Sequence, residues 1–445
     1  MYGDNGEQDY YVGHLSEVNK SNCVLTSSDI KNDKGALVVS KGTPVTGSIS
    51  KKFIKHKFLK RLETCISLEH SITPDELIEE FNQLVQTQGN ETILQQESLV
   101  DLLRASCETL NKYPLLVQKF TVMQSRFPLL YKKTIGSSFV ALIIAWKMDL
   151  PNRDRQHIFI AALMRDVGLL HIDPSLVEKH GDLTHSELRA LQSHVAIGKV
   201  FLDSVPDLPK KVGRAVLEHH ECSDGSGYPY GKGGDSLCID GQVLAMAGAV
   251  AAIYRKKVIT KVYALEAFVP ILQINMHLYP RSVYKAALIA ASYMTNSLHR
   301  FYPDSEIPEL CSRNILKITQ LTLWLESADA LTSHCVSTLP EDKTSVILAM
   351  ANRLHKVVDG SGLLTQDNVT WLQSVVDKPR IEHYGEVEHQ VLMLEALQSH
   401  FRQWDSRLTH CIQTENIGSS DSIGEYSYAK LDDILSGKSE VLPVA

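Results

Sequence analysis

Two adjacent histidines followed by a glycine-rich loop are the feature of this sequence best suited to chemistry. His219 and His220 precede Glu221, and the loop reads Asp224-Gly225-Ser226-Gly227-Tyr228-Pro229. Neutral imidazoles are common metal ligands, and glycines let a backbone approach an anionic ligand closely. The pattern predicts a metal and phosphate site. The alternative is an ordinary helix end that carries two surface histidines.

The residues before the histidines predict the helix that positions them. Apolar side chains recur at helical spacing from Val212 to His219, and Pro209 suits a first helical position. His219 therefore shares the predicted buried stripe. His220 lies ~100° further round the helix, close enough to reach a common point. We expect both imidazoles to face one site at the end of this helix.

The segment from about residue 130 to 290 resembles the HD-GYP family, the HD-superfamily phosphodiesterases associated with cyclic di-GMP. The motifs that carry the resemblance keep their order and spacing; they are Asp182-Leu183-Thr184, Ser193-His194-Val195-Ala196-Ile197-Gly198, His219-His220-Glu221 and Gly227-Tyr228-Pro229. Earlier in the segment, residues 161–169 match the stretch in which the family has a His-Asp pair and a following Gly-Lys. The aspartate is Asp166, but Arg165 replaces the histidine and Leu169 replaces the lysine.

Three ligand positions implied by the resemblance carry residues of another type. Counting back along the preceding helix places Lys133 at the family's first histidine, Arg165 stands in the His-Asp pair, and Gly248 stands at a later aspartate. By resemblance, these three positions correspond to one metal's side of the site. The bridging carboxylate and the other metal's ligands correspond to Asp166, His194, His219 and His220.

These replacements change the chemistry that the site could perform. Arginine has no acceptor lone pair, lysine ligates only after losing its proton, and glycine has no side chain. The positive charge of Arg165, with that of Lys133, could pair with Asp166 or bind a phosphate. The remaining carboxylate and three imidazoles predict a mononuclear site for one divalent ion, with iron, manganese and zinc all open. The alternative is that hydrogen bonds satisfy the histidines and no metal binds.

The altered site favours a divergent HD-GYP signalling protein with weak or absent catalysis, which acts by binding a cyclic dinucleotide or a protein signalling partner. The predicted ligand-binding residues are Lys133, Arg165, Asp224, Gly225, Gly227, Tyr228 and Pro229. Two alternatives stay open. One is an active metal-dependent cyclic di-GMP phosphodiesterase in which Asp166 and Arg165 are catalytic. The other is a purely structural scaffold.

Length and composition are typical of a soluble protein with several domains. The chain has 445 residues, of which 44% are hydrophobic and 22% charged, and this length suggests two to four domains. A formal net charge of -7 argues against general binding to nucleic acids. Residues 1–9 lack the apolar core of a signal peptide, and the apolar stretches at 139–146 and 243–254 are too short to span a bilayer. With eight scattered cysteines, which are typical of reduced protein, the sequence predicts a cytoplasmic location.

Changes in residue pattern predict a mainly α protein in five segments. Residues 1–70 alternate short β-rich runs with turns, which predicts a small α/β domain similar to the one that precedes some HD-GYP domains. The segments that follow are a helical connector at 71–112, an HD-superfamily helical bundle at 113–298, a helical C-terminal region of no recognised family at 299–415, and a predicted disordered tail at 416–445.

Three shorter patterns make local predictions. Residues 48–62 predict a basic helix. Residues 151–168 predict a helix that turns Arg165 and Asp166 inward. Asp359-Gly360-Ser361-Gly362 predicts a helix that stops at a glycine.

Overall fold

Helices dominate the fold. The computed structural model describes residues 10–55, 58, 61–87, 93, 95–179, 183–223, 225, 227–259, 268–292, 302–338 and 341–414. Within these residues the strands are few and short, which confirms the predicted mainly α class. The tail predicted at 416–445 lies outside the described residues.

The N-terminal elements combine short strands with two helices. They are α1 (Tyr10–Val18), β1 (Val24–Thr26), β2 (Ile30–Lys31), β3 (Leu37–Val39), α2 (Gly47–Lys55), a 3-10 turn at Leu62–Cys65 called here the 62–65 turn, and β4 (Ile66–Leu68). Strand β1 pairs antiparallel with β4, and β2 pairs antiparallel with β3. The helix predicted at 48–62 is too long, because Phe58 already forms a β-bridge with Asn32.

The central helices surround one long apolar helix. They are α3 (Pro74–Thr87), α4 (Glu97–Asn111), α5 (Pro114–Arg126), α6 (Pro128–Lys147), α7 (Asn152–Met164), α8 (Pro174–Val177), α9 (His185–Gln192), α10 (His194–Asp203), α11 (Lys210–Glu218), α12 (Ile239–Ile259), α13 (Phe268–Ile274) and α14 (Arg281–Ser292). Helix α6 contacts α7, α12 and α14. Proline opens α3, α5, α6 and α8, where its missing N–H costs no helical hydrogen bond. Pro209 lies just before α11, one position earlier than predicted.

Helix α6 is long and apolar enough, by length and composition alone, to cross a membrane. Its 20 residues extend well beyond the apolar stretch that the sequence suggested at 139–146. Two thirds of its apolar window (67%) is buried inside the fold. A helix buried to this extent is typical of the core of a helical bundle.

Helix α7 ends earlier than the sequence predicts. Its last residue is Met164, and a 3-10 turn at Val167–His171, called here the 167–171 turn, follows Asp166. A Cβ on Gly168 would lie 2.0 Å from the carbonyl oxygen of His194, so this turn packs directly on the start of α10. The prediction of one helix over 151–168 is therefore wrong at its end, because tertiary packing bends the chain. Arg165 and Asp166 are nevertheless buried.

The C-terminal residues form long helices around a second apolar core, which also includes Ile274 of α13. These helices are α15 (Ile307–Thr338), α16 (Glu341–Ser361), α17 (Gln366–Asp377) and α18 (Ile381–Thr414). The rings of Phe401 and Trp404 pack against Trp324 in that core. Gly362, with a positive φ of 64°, follows the end of α16, which confirms the predicted glycine stop.

The larger apolar core runs from α1 to α14 and also includes Leu392 of α18. Its buried side chains include Tyr11 in α1, Phe53 in α2, Phe120 in α5 and Ala287 in α14. The N-terminal elements and the central helices therefore share packed surface. The five segment boundaries stay predictions.

Candidate metal and phosphate site

Three histidines meet at the ends of two helices. His194 is the first residue of α10, His219 directly follows α11, and His220 comes next. One potential ligand atom from each of the three side chains lies within 4.8 Å of the other two. His194 and His219 are buried and His220 is partly buried. This arrangement could hold a metal ion.

Backbone carbonyls orient two of these imidazoles. His194 Nδ1 lies 2.7 Å from the carbonyl oxygen of Leu191, and His219 Nδ1 lies 2.7 Å from that of Val216. Because Nδ1–H must donate to each carbonyl, the lone pair of each ring is on Nε2. Both Nε2 atoms are buried and have no hydrogen-bond partner among the described residues. Metal-binding histidines commonly donate their second ring N–H in this way, so these two fit a metal ion.

Asp166 supplies a carboxylate beside the histidines. Its Oδ1 lies 3.7 Å from His194 Nε2, and its Oδ2 accepts a 3.1 Å hydrogen bond from Arg165 Nε. Burial alone would raise the pKa of Asp166, but the positive charges of Arg165 and Lys133 outweigh burial and hold that pKa well below its usual range. Asp166 is therefore ionised and able to ligate.

The histidines are kept neutral by the same environment. Burial, followed by the neighbouring imidazoles and Arg165, lowers the pKa of His220 to about 3 and holds that of His219 well below its ordinary value. Burial also lowers the pKa of His194, although Asp166 opposes that shift. Neutral rings keep the lone pairs that a metal ion needs.

Arg165 lies against Gly248 of α12. A Cβ at position 248 would be 2.5 Å from Arg165 Nη1, so the guanidinium occupies the space that a side chain there would need. Nη1 is buried and has no hydrogen-bond partner among the described residues. The side chain is therefore a donor held beside the histidines.

Lys133 of α6 acts electrostatically on the same cluster. Its charge lowers the pKa values of Asp166, His194 and His220. The structure thus brings Lys133, which the sequence placed only by helix counting, near the residues that the motifs selected. Arg165 and Lys133 together supply two positive charges to the site, at positions where the resemblance implies metal ligands.

The glycine-rich loop closes over His220. The Tyr228 ring stacks on the His220 ring, with centroids 4.6 Å apart and an interplanar angle of 16°. The Tyr228 N–H donates to the carbonyl oxygen of His220 at 3.1 Å. A Cβ on Gly227 would lie 2.3 Å from that oxygen, so only glycine allows this approach. Tyr228 therefore forms one wall of the site.

Two of the three other predicted loop residues, Gly225 and Pro229, lie within the described part of the chain. Gly225 has a positive φ of 78°, which favours glycine, and Pro229 is exposed. Asp224, which the sequence selected as a ligand-binding residue, lies outside the described residues, as does Asp182 of the first motif.

Two buried carboxylates that the sequence did not assign hold this loop. Glu221 is fully buried and accepts hydrogen bonds from the N–H groups of Tyr230 at 2.8 Å and Lys232 at 3.0 Å. Glu218 accepts from the Cys238 N–H at 2.7 Å and lies 3.3 Å from Lys232 Nζ. An acidic residue just before a loop whose amides need acceptors was the available signal for Glu221.

Comparison with protein families identifies the class of this region. Residues 119–278 match the HD domain family. They lie inside the helical bundle predicted at 113–298 and include Asp166 and the three histidines.

Several curated proteins are similar over this region. The 3'3'-cGAMP-specific phosphodiesterase 3 of Vibrio cholerae is 28% identical over 135 residues, which is 30% of this chain and 29% of that protein. The cyclic di-GMP phosphodiesterase response regulator RpfG of Xanthomonas campestris is 30% identical over 131 residues, 29% of this chain and 35% of its own. A cyclic di-GMP phosphodiesterase of Thermotoga maritima is 30% identical over 159 residues, 35% of this chain and 43% of its own. The chain thus spans less than half the length of each of these relatives.

A solved HDG"Y"P protein from Bdellovibrio bacteriovorus aligns with 61% of this chain and 94% of its own, with 14% identity and a TM-score of 0.31, which is too low for a comparison of site geometry. The family and sequence matches confirm the resemblance that the motifs indicated. The chain contains an HD domain and is related to the HD-GYP phosphodiesterases of cyclic di-GMP and cGAMP.

Proposed function

We propose that this chain is a divergent HD-GYP signalling protein that binds a cyclic dinucleotide beside one divalent metal ion, with weak or no phosphodiesterase activity. The proposed metal ligands are Asp166, His194, His219 and His220. The observation that carries the proposal is the pair of buried Nε2 atoms on His194 and His219, which have no hydrogen-bond partner within the described part of the chain. Leaving such an atom buried without a partner costs about 1–3 kcal/mol. Ligation of an ion removes that cost.

The choice of ion is open among iron, manganese and zinc, since imidazole and carboxylate ligands suit all three. An ion held by these residues supplies a Lewis acid for a phosphoryl oxygen. This chain's own residues would do the rest of the binding.

Arg165 and Lys133 are the proposed phosphate-binding cations. Arg165 Nη1, which has no hydrogen-bond partner in the part of the chain that the structure describes, can donate to a phosphate oxygen, and a guanidinium matches phosphate geometry well. Tyr228 and the backbone of Gly225 and Gly227 would line the other side of the nucleotide. Arg165 is already paired with Asp166 through Nε, so its remaining donors are pre-oriented for an anion.

Weak catalysis follows from the residues at positions 165 and 248. In two-metal phosphodiester hydrolysis, the two ions together stabilise the attacking and leaving oxygens. Here a guanidinium fills the space next to Gly248, and neither residue can act as a ligand. The cation that replaces the ligand can bind a phosphate but cannot activate water.

An active phosphodiesterase is the second candidate. The ionised Asp166 and the neutral imidazoles support it, because they leave the ligand set of one ion intact. In that case Arg165 would stabilise charge on the phosphoryl group, and it and Asp166 would be catalytic. Measured turnover separates the two candidates.

The proposed organisation keeps the predicted segments, with residues 299–415 as the module that contacts a protein signalling partner. The second apolar core around Trp324, Phe401 and Trp404, most of whose buried residues lie in α15–α18, supports a helical module there.

A binding titration tests the proposal. Cyclic di-GMP and 3'3'-cGAMP would each be titrated calorimetrically into the full chain loaded with Mn²⁺. We expect binding of at least one of them without efficient hydrolysis, and a loss of about tenfold or more in affinity for Arg165→Gln, because a charge-assisted hydrogen bond is removed. Arg189→Gln, which alters an exposed arginine of α9, is the matched control and should bind as the wild type does.

Absence of binding by the loaded wild type would contradict the proposal. Turnover above about 1 per second would favour the active enzyme instead.

A further inference from the structure

Lys119 of α5 is a fully buried lysine where the N-terminal elements meet the HD domain. Its Nζ lies 3.0 Å from the centroid of the Tyr11 ring, 3.0 Å from His171 Nε2 and 3.5 Å from Glu63 Oε1. A buried ammonium is tolerated only with such partners, here a ring face, a lone pair and a carboxylate. These partners come from α1, the 167–171 turn and the 62–65 turn, so Lys119 joins all three elements to α5.

Further contacts of α1 strengthen the same junction. The Tyr11 ring stacks on the His171 ring, with centroids 5.4 Å apart. The Tyr11 hydroxyl donates to Gln118 Oε1 at 3.1 Å, and the Gln118 amide donates to the carbonyl oxygen of Ile66 at 2.9 Å. Helix α1 therefore lies directly on the 167–171 turn.

The 167–171 turn is also the direct continuation of Asp166. The Leu169 N–H donates to the carbonyl oxygen of Asp166 at 3.0 Å, and the Ile172 N–H donates to that of Leu169 at 3.2 Å. Near its start, Gly168 packs on the His194 carbonyl. At its end, His171 contacts Lys119 and Tyr11. The turn is thus held at both ends, and a shift at His171 would be transmitted to Asp166 over five residues.

We propose that Lys119, Tyr11 and His171 position Asp166, so that the N-terminal elements set the affinity of the site for its metal ion. The proposal rests on the metal site proposed above. These three are positioning residues, since they act through the 167–171 turn. Substitution of residues that hold a metal ligand in place commonly lowers metal affinity by about 10- to 100-fold.

The test uses the full chain and Mn²⁺ alone as the probe. Lys119→Met removes the ammonium at similar volume, and Arg61, 3.7 Å from Glu63, still provides a cation for that carboxylate. Tyr11→Leu removes the ring face. We expect both variants to bind Mn²⁺ about tenfold more weakly with unchanged stoichiometry. Tyr11→Phe keeps the ring and should retain nearly wild-type affinity. Tyr10→Phe, which removes only the 3.3 Å bond to Asp173, is the matched control.

A second measurement separates this inference from the proposed function. Hydrogen exchange on metal-free protein would follow the Leu169 and Ile172 amides. We expect faster exchange at these amides in Lys119→Met and Tyr11→Leu, with unchanged protection in α15–α18 as the control for folding. If the wild type binds no Mn²⁺, the proposed metal site fails, and the exchange result alone decides whether the junction fixes the turn. Wild-type exchange in both variants would overturn the inference, as would wild-type Mn²⁺ affinity.

Discussion

Arg165 and Gly248 fit each other sterically: the guanidinium Nη1 lies 2.5 Å from the point that a Cβ on residue 248 would occupy. The same guanidinium pairs with Asp166 at 3.1 Å. The family resemblance implies a metal ligand at both positions. In this chain the buried guanidinium occupies the space that a side chain at position 248 would need, so the two replacements form a matched pair.

This fit predicts coupling between the two positions. Gly248→Ala should lower the free energy of unfolding by about 1–3 kcal/mol, because the buried guanidinium must move. The double variant Arg165→Ala, Gly248→Ala should be more stable than the sum of the single effects predicts. Urea denaturation of the four proteins gives the coupling energy. Additivity within about 0.5 kcal/mol would show that the two residues do not constrain each other.

A glycine in open space provides the control for that cycle. A Cβ on Gly136 of α6 would meet no atom within 4 Å. Gly136→Ala should therefore raise the free energy of unfolding by about 0.5–1 kcal/mol, the usual gain of alanine over glycine in a helix.

Metal should stabilise the HD domain through the histidines. At a Mn²⁺ concentration of about 100 times Kd, we expect the free energy of unfolding to rise by about 2.7 kcal/mol, and a chelator should reverse the gain. His219→Ala should abolish the effect, since it removes a ligand. His157→Gln alters a buried histidine of α7 that is not part of the cluster and should leave the effect intact. Thermal unfolding with and without Mn²⁺ makes the comparison. Equal stabilisation of His219→Ala and the wild type would exclude the proposed ligand.

Glu221 should hold the glycine-rich loop in place. Glu221→Gln leaves one side-chain oxygen where two accept the Tyr230 and Lys232 N–H groups, so we expect a loss of about 1–3 kcal/mol in stability and faster proteolysis near residue 230. Asp235→Asn removes an exposed carboxylate from the same stretch and is the control. Unchanged proteolysis of Glu221→Gln would mean that other contacts fix the loop.

His157 predicts a pH dependence of stability away from the site. Burial, followed by Lys211, lowers the pKa of His157 below its ordinary value of 6.5. The unfolded chain therefore takes up a proton first as the pH falls. The stability due to neutral His157 is complete above pH 6.5 and is lost as the pH drops toward the lower folded-state pKa. His157→Gln removes this contribution, so the melting temperature of the variant should depend less on pH between pH 5 and 7 than that of the wild type. The difference corresponds to at most about one proton taken up on unfolding. Parallel curves for variant and wild type would contradict this assignment.

Local signals in the sequence predicted much of the helical framework. The apolar spacing before His219 marks α11, and Gly362 marks the end of α16. Each signal depends on propensities or caps within a few residues, so the neighbouring sequence is sufficient.

Elements fixed by distant contacts were missed. Helix α1 is buried through Tyr11, whose partners Gln118 and His171 are far away in the sequence. The early end of α7 depends on the packing of Gly168 against His194. Such pairings require the tertiary fold, which residue patterns alone do not provide.

The candidate site likewise combines features that the sequence predicted with features that depend on distant contacts. The motifs selected Asp166 and the three histidines, and the fold brings these side chains together. The contact between Arg165 and Gly248 and the loop-holding role of Glu221 appear only when α7, α11 and α12 are packed.

Metal content per chain, measured on full-length protein purified without chelator, tests the central claim most directly. The account predicts about one divalent ion per chain, lost in His219→Ala, with little or no hydrolysis of cyclic di-GMP by the same sample. Two ions per chain with efficient hydrolysis would contradict it, because the Arg165 guanidinium stands where the resemblance implies a ligand of the second ion. A wild-type chain without metal, even after incubation with Fe²⁺, Mn²⁺ or Zn²⁺, would equally contradict it.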